Sequence, residues 1–419
     1  MSSSDVALSE LVEIRHGFAF KGEFFSDKRT QDMLLTPGNF RPGGGFSPSN
    51  QKWYSGPVPE EYVLSPGDLI VTMTDLSRDA GTLGYPAIVP SASAGWRYLH
   101  NQRLGKVRVL RPDLLDKRYL YYLMCSAAYR HEILAGATGT TVRHTSPTRI
   151  LKFRFDLPAL QAQRDAAALL GAFDDKIELN RKMSRALDET ARSLFEARFV
   201  RFDGASVDEQ TDLPVGWRYS PFSETVTILS GGTPKTSVDE HWGGAIPWFA
   251  IADAPSDGEV FVLDTAKKVT PLGIANSAAQ VLPAGTTILT ARGTVGLRAM
   301  AGVDMAINQS CFGLRGVHEG TDYYTYAATG LVVDRLRQYS HGSVFSTINR
   351  ATFSSVSVVD PPLGVIRDYE MLVAPLMDRI RLNGVQSSTL AALRDALLPR
   401  LLSGQLRVAD AEKVAEEVV

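Results

Sequence analysis

The chain has 419 residues, 44% hydrophobic and 21% charged, an ordinary globular composition long enough for two or three domains with their own cores. No stretch approaches the ~20 apolar residues of a membrane helix, and the N-terminus lacks a basic region followed by an apolar run. Two cysteines, Cys125 and Cys311, cannot make a disulfide framework and are expected as core thiols, so the default is a cytoplasmic protein with no membrane partner.

Residues 1–157 are expected to form a first mixed domain. Residues 9–14 read as a capped helical turn or a strand entering His16-Gly17-Phe18. Residues 37–45 are dense in Gly and Pro and mark irregular backbone. Residues 69–73 read as a buried strand, 106–110 as an alternating one, 119–135 as a helix and 152–155 as a last strand.

Residues 158–203 are repeated at 361–407. Asp175-Lys176-Ile177-Glu178-Leu179-Asn180 matches Asp378-Arg379-Ile380-Arg381-Leu382-Asn383, an offset of 378 − 175 = 203. Each copy carries a seam stepping by three and four. The first is Leu170, Phe173, Ile177, Asn180, Ser184, Leu187, Ala191 and Leu194; the second is Val373, Leu376, Ile380, Asn383, Ser387, Leu390, Arg394 and Leu397. This is the spacing of a coiled coil, where a buried polar residue lowers stability but fixes register. Gly171 and Pro375 are poor helix formers, so each copy is expected to break there and continue as a long helix, 172–199 and 375–402. At ~1.5 Å per residue each would span about 40 Å. Two such helices running antiparallel would set Asn180 against Ser387 and Ser184 against Asn383.

Residues 204–360 repeat the plan of 1–157. Residues 283–290 parallel 66–72, Asn308-Gln309 parallels Asn101-Gln102, 322–339 is the matching helix and 355–359 the matching last strand. The first half carries 19 Lys and Arg against 15 Asp and Glu, or +4; residues 203–360 carry 10 against 16, or −6. With a net charge of −2, nucleic-acid binding would have to rest on local basic clusters. Residues 408–419 hold one Lys against four acids and are expected to be a disordered acidic tail.

Taken together and in this order, several stretches make residues 8–407 resemble the specificity subunit of type I restriction–modification systems. They are the paired helices, Ser230-Gly231-Gly232-Thr233-Pro234, residues 242–248, residues 291–296 and the ending at 397–404. The resemblance implies an α+β fold: two pseudo-symmetric mixed α/β target-recognition domains, 1–157 and 204–360, separated by two long antiparallel coiled-coil helices in the spacer regions 158–203 and 361–407. It also implies that each domain reads one half of a split site in double-stranded DNA. The helices would set the spacing and dock two methyltransferase (M) subunits, with restriction/translocase (R) subunits joining for cleavage. Thr72-Met73-Thr74-Asp75 stands where Thr290-Ala291-Arg292-Gly293 stands, which argues against a shared DNA contact at that loop.

No catalytic residue, cofactor or metal is expected. Asp360-Pro361-Pro362-Leu363 is similar to the Asp/Asn-Pro-Pro-aromatic motif of amino-methyltransferases, but Leu363 cannot stack on a flipped base; a strand-to-helix corner is the plainer reading. There is no glycine-rich loop with a ribose-binding acid, no phosphate loop and no HExxH. Sequence is read by side chains that reach base edges. The loop candidates are Asn39, Arg41, Lys52, Arg78, Arg143 and His144 in the first half, and Thr233, Lys235, Thr236, Arg292 and Thr294 in the second. The recurring Asn-Gln pair is expected to brace the scaffold, and Trp242 and Trp248 to be core. Two alternatives stand beside the non-catalytic DNA reader: a free-standing DNA methyltransferase or nuclease, and a protein-binding adaptor with no DNA role, which the acidic second half favours.

Overall fold

Two helices of 40 residues each, Leu160–Phe199 and Leu363–Leu402, follow the two mixed domains in the computed structural model. It describes residues 4–48, 51–75, 81–92, 95–139, 142–255, 259–339 and 347–418. Neither helix breaks where a break was expected. Gly171 sits against the Arg118 guanidinium, and a side-chain carbon there would lie 2.4 Å from Arg118 Cζ. That glycine permits a close approach instead of ending the helix. Pro375 removes one backbone donor, but Val373 and Met377 on either side are buried. Such tertiary burial carries most helical stability in a protein and overrides a single poor residue.

The chain divides into two compact units, Met1–Asp175 with Thr389–Val419, and Lys176–Ser388. In the first, Leu104–Val109 lies between Val12–His16 and Leu69–Thr72, all antiparallel, with Pro86–Ile88 beyond. Residues 69–72 are buried throughout, as a continuous apolar run requires. A second sheet pairs Asp32–Leu35 with Arg97–His100 in parallel, flanked by Trp53–Tyr54 and Val63–Leu64. Met33, Leu35, Phe40, Trp53, Ile70 and Leu104 form a core with them.

The helix expected at 119–135 is two, Lys117–Cys125 and Ala127–Ala135. Ser126 is extended, and its hydroxyl accepts the Tyr129 N–H at 3.3 Å, since Ser competes for backbone donors better as a cap than inside a helix. The acidic tail is not disordered as expected: Val408–Val418 is helical, because Ala411 and Ala415, four apart, present one face that is buried. Leu170, Phe173, Leu390 and Leu397 of the seam are buried here. Cys311, in the other unit, is buried, while Cys125 is half-buried.

The second unit repeats the frame. Cys311–Gly316 lies between Val226–Ser230 and Thr287–Thr290, with Arg298–Ala301 beyond. Trp242–Phe249 pairs in parallel with Met305–Ile307, flanked by Lys268–Val269 and Val281–Leu282. Its largest core joins Phe195, Phe199, Tyr369 and Val373 of the long helices to Tyr324, Val332 and Phe353. Within this unit the helices run antiparallel. Asn180 Nδ2 donates to Ser387 Oγ at 3.3 Å and to Gln386 Oε1 at 3.0 Å, and Asn383 Nδ2 donates to Ser184 Oγ at 3.2 Å. Ile177 and Ile380 are buried beside this belt, and Leu187, Leu194 and Leu376 pack partly buried on the core. No described helix is long and apolar enough to cross a membrane.

Glu370 accepts the Tyr324 N–H at 2.7 Å. Burial, with Asp322 nearby, pushes its carboxyl from 4.5 up to about 7. Between those values the folded chain holds a proton that the unfolded chain has lost, so stability falls as pH rises through this window. Glu370→Gln keeps the acceptor and removes the charge. It is expected to stabilise the protein at pH 8 by about 1–3 kcal/mol and to flatten the dependence between pH 5 and 7, read by chemical denaturation.

Candidate nucleic-acid interface

In the second half, residues 230–234 lie flat on 307–309. Gly232 N–H donates to the Ile307 carbonyl at 3.0 Å, and a side-chain carbon at Gly231 would fall 2.0 Å from the Asn308 carbonyl oxygen. Only glycine permits that approach. The Thr233 hydroxyl donates to Gln309 Oε1. Trp248 is buried as expected, its indole N–H on the Gly232 carbonyl at 3.0 Å. Trp242 is only half-buried. It packs edge-on against Trp248 with centroids 5.1 Å apart, donates to the Lys235 carbonyl at 3.1 Å, and has Lys267 5.8 Å over its ring.

The loop after Thr287–Thr290 is closed by Thr290, whose hydroxyl donates to the Thr294 carbonyl at 2.5 Å and accepts the Leu297 N–H at 2.9 Å. Arg292 and Thr294 stand exposed on it, as do Lys235 and Thr236 on theirs, while Thr233 is half-buried. Ala291 N–H reaches the Ser310 carbonyl at 2.7 Å. The contacts of Thr233 with Gln309 and of Ala291 with Ser310 thus join three loops into one rim. Lys235 and Arg292 put positive charge on that rim in a half whose balance is −6.

The first half builds the corresponding rim differently. Met73 N–H donates to the Arg103 carbonyl and Thr145 N–H to the Met73 carbonyl. These bonds match Ala291 to Ser310 and Ile348 to Ala291. Thr74 therefore occupies the place of Arg292, but it is buried and its hydroxyl meets His144 Nδ1 at 3.1 Å. Arg143–His144 pairs antiparallel with Thr74–Asp75. His144 is exposed and Arg143 half-buried, with its Nε enclosed and lacking a hydrogen-bond partner among the described residues.

Asn39 does not serve as the base-reading donor proposed for it. It is fully buried, with Nδ2 on the Ser47 carbonyl at 3.3 Å and Oδ1 accepting the Thr36 N–H at 2.9 Å. A short polar side chain among 37–45 is needed there to satisfy backbone that no strand pairs. Arg41 is half-buried, Lys52 is exposed, and Arg78 lies outside the described residues. Sequence reasoning missed Arg29, whose guanidinium lies 4.3 Å over the Trp96 ring; nothing in the spacing links the two.

Asp360, from the methyltransferase-like tetrapeptide, accepts Arg218 Nε at 2.8 Å and Ser220 Oγ at 3.2 Å at a strand end. It closes a corner between the strand Ser357–Asp360 and the second long helix. Among the described residues no three His, Cys, Asp or Glu side chains converge as a metal site.

The family model for the type I restriction modification DNA specificity domain matches residues 3–189 and 214–366. The HindI specificity subunit of Haemophilus influenzae is 22% identical over 373 residues, covering 72% of this chain and 80% of that one. The MjaIX specificity subunit of Methanocaldococcus jannaschii is 22% identical over 317 residues, covering 73% and 72%. Among solved structures, the S subunit of a type I restriction–modification system from M. genitalium shares the fold with a TM-score of 0.52 at 15% identity, covering 96% of each chain. Matched in both halves, and through much of the first long helix, the chain belongs to the type I restriction–modification DNA specificity family.

Proposed function

We propose that residues 1–157 and 204–360 each read one half of a split site in duplex DNA, and that the two long helices space the halves and dock two M subunits. R subunits join that assembly for cleavage. What carries the reading is one strand order built twice around rims with different side chains. A shared frame lets two modules approach DNA alike, while exposed loop residues decide which bases each accepts. Lys235, Thr236, Arg292 and Thr294 in one half, and Lys52 and His144 in the other, are the proposed contacts that remain exposed. The chain carries net negative charge, so counterion release has to come from these patches and from partners. The isolated chain should therefore bind DNA weakly.

Replacing residues 8–157 by the same region of another family member, in a complex reconstituted with M subunits, tests the two-module reading. Methylation mapping is expected to show one half-site replaced and the other kept. A change in both halves together would sink it.

A further inference from the structure

The recurring Asn-Gln pair does two jobs. In the first half, Asn101 Oδ1 accepts the Arg103 N–H at 2.9 Å and the Asn101 carbonyl accepts the Leu104 N–H at 2.9 Å. In the second, Asn308 Oδ1 accepts the Ser310 N–H at 3.0 Å and the Asn308 carbonyl accepts the Cys311 N–H at 3.1 Å. The same two bonds lock the same turn in both halves. A glycine packs against each turn from outside the strand: a side-chain carbon at Gly17 would lie 2.2 Å from the Asn101 carbonyl oxygen, and at Gly231 2.0 Å from that of Asn308. Asparagine is therefore the brace. Glutamine is the next residue, at the corner of the turn, and both Gln102 and Gln309 are exposed.

Both glutamines stand on the rims described above. Gln309 lies between the 230–234 loop, through Thr233, and the Arg292 loop, through the bond from Ala291 to Ser310. Gln102 N–H donates to the Phe18 carbonyl at 2.9 Å, and its neighbour Arg103 holds Met73, next to Thr74 and His144. A glutamine amide matches the major-groove edge of adenine: its oxygen accepts from N6 and its NH2 donates to N7. On Gln309 the Thr233 hydroxyl occupies one lone pair of the amide oxygen, and among the described residues the second lone pair and both N–H groups have no partner.

We infer that Gln102 and Gln309 are equivalent specificity-determining residues, one per half, each reading an A·T pair at the corresponding place in its half-site. The locked turn fixes where each side chain leaves the backbone before DNA arrives, so the backbone needs little ordering on binding. The inference rests on the DNA-reading role proposed above and adds the base class and the residue that reads it.

The test uses the complex with M subunits and a panel of duplexes in which every base pair of both half-sites is substituted in turn. The wild-type complex should prefer adenine at one matching position in each half. Gln309→Ala should lower that preference by about 10- to 100-fold in one half only, and Gln102→Ala should do the same in the other. Gln309→Glu should move the preference at that one position toward cytosine, whose N4 donates to a carboxylate. Wild-type preference at every position in these variants overturns the assignment. So does a uniform loss across all sequences, which would mark a phosphate contact, a partner contact or a folding role. If the wild-type complex discriminates no sequence at all, it is the DNA-reading role that fails.

Discussion

Arg394→Ala is expected to destabilise the protein by about 2–4 kcal/mol, the largest loss from any single charged side chain of the long helices. Arg394 Nη1 donates to Asp174 Oδ1 at 2.6 Å, and Asp174 Oδ2 accepts the Tyr122 hydroxyl at 2.7 Å. The two charged side chains are 22% and 26% exposed, so water screens the pair only partly. Burial works against the guanidinium charge, and Asp174 and Asp395 more than offset it, holding its pKa above the ordinary arginine value. Removing Arg394 leaves Asp174 enclosed with a single hydroxyl donor. Replacing both partners by apolar residues, Arg394→Met with Asp174→Leu, should recover most of that loss, because no enclosed charge is then left without its partner. Asp395, the other partner of Arg394, is 64% exposed and stays solvated, and the residual cost is the Tyr122 hydroxyl that loses its acceptor. Chemical denaturation of the singles and the double reads the coupling. A cost below about 0.5 kcal/mol for Arg394→Ala would mean that solvent already screens the pair.

That ion pair also marks what the sequence does and does not show. The seam is legible because its residues meet their partners at a fixed period, and Asn180, Ser184, Asn383 and Ser387 lie together as the spacing indicates. Arg394 stands in the seam where the first copy has Ala191, and no periodicity says why; the answer is Asp174, 220 residues earlier. Gly171 misleads for the same reason. Its helix stays intact because Arg118, from another element, fills the space that a side chain would take. Asn39 reads as a loop donor until its burial is known. Asn308-Gln309 is visible as a repeated pair, but only the backbone of the turn shows which amide points inward and which outward. Loop function depends on direction, and direction is set by contacts distant in sequence.

Adding one heptad to both long helices, after Lys182 and after Val385, is expected to lengthen the spacer of the recognised DNA by about three base pairs, with both half-site sequences unchanged. The insertion points fall inside the polar belt, between Asn180 and Ser184 and between Asn383 and Ser387. In the antiparallel pairing Asn180 and Ser387 both lie on one side of the insertions, and Asn383 and Ser184 both on the other. Each couple therefore keeps its hydrogen bond while seven residues, about 10 Å of helix, separate them. A heptad keeps the seam facing its partner, but three base pairs turn the duplex by roughly 100°, since one turn is about 10 base pairs. The singly extended protein should therefore bind its lengthened site more weakly than wild type binds its own. Three heptads add about 31 Å, close to one DNA turn, and should restore affinity at a spacer longer by about nine base pairs. A heptad in only one helix separates one asparagine from its serine and should lower the melting temperature instead. Methylation mapping of each extended protein in complex with M subunits reads the spacer directly. An unchanged spacer in a folded, active protein with one heptad added to both helices would show that these helices do not set the distance.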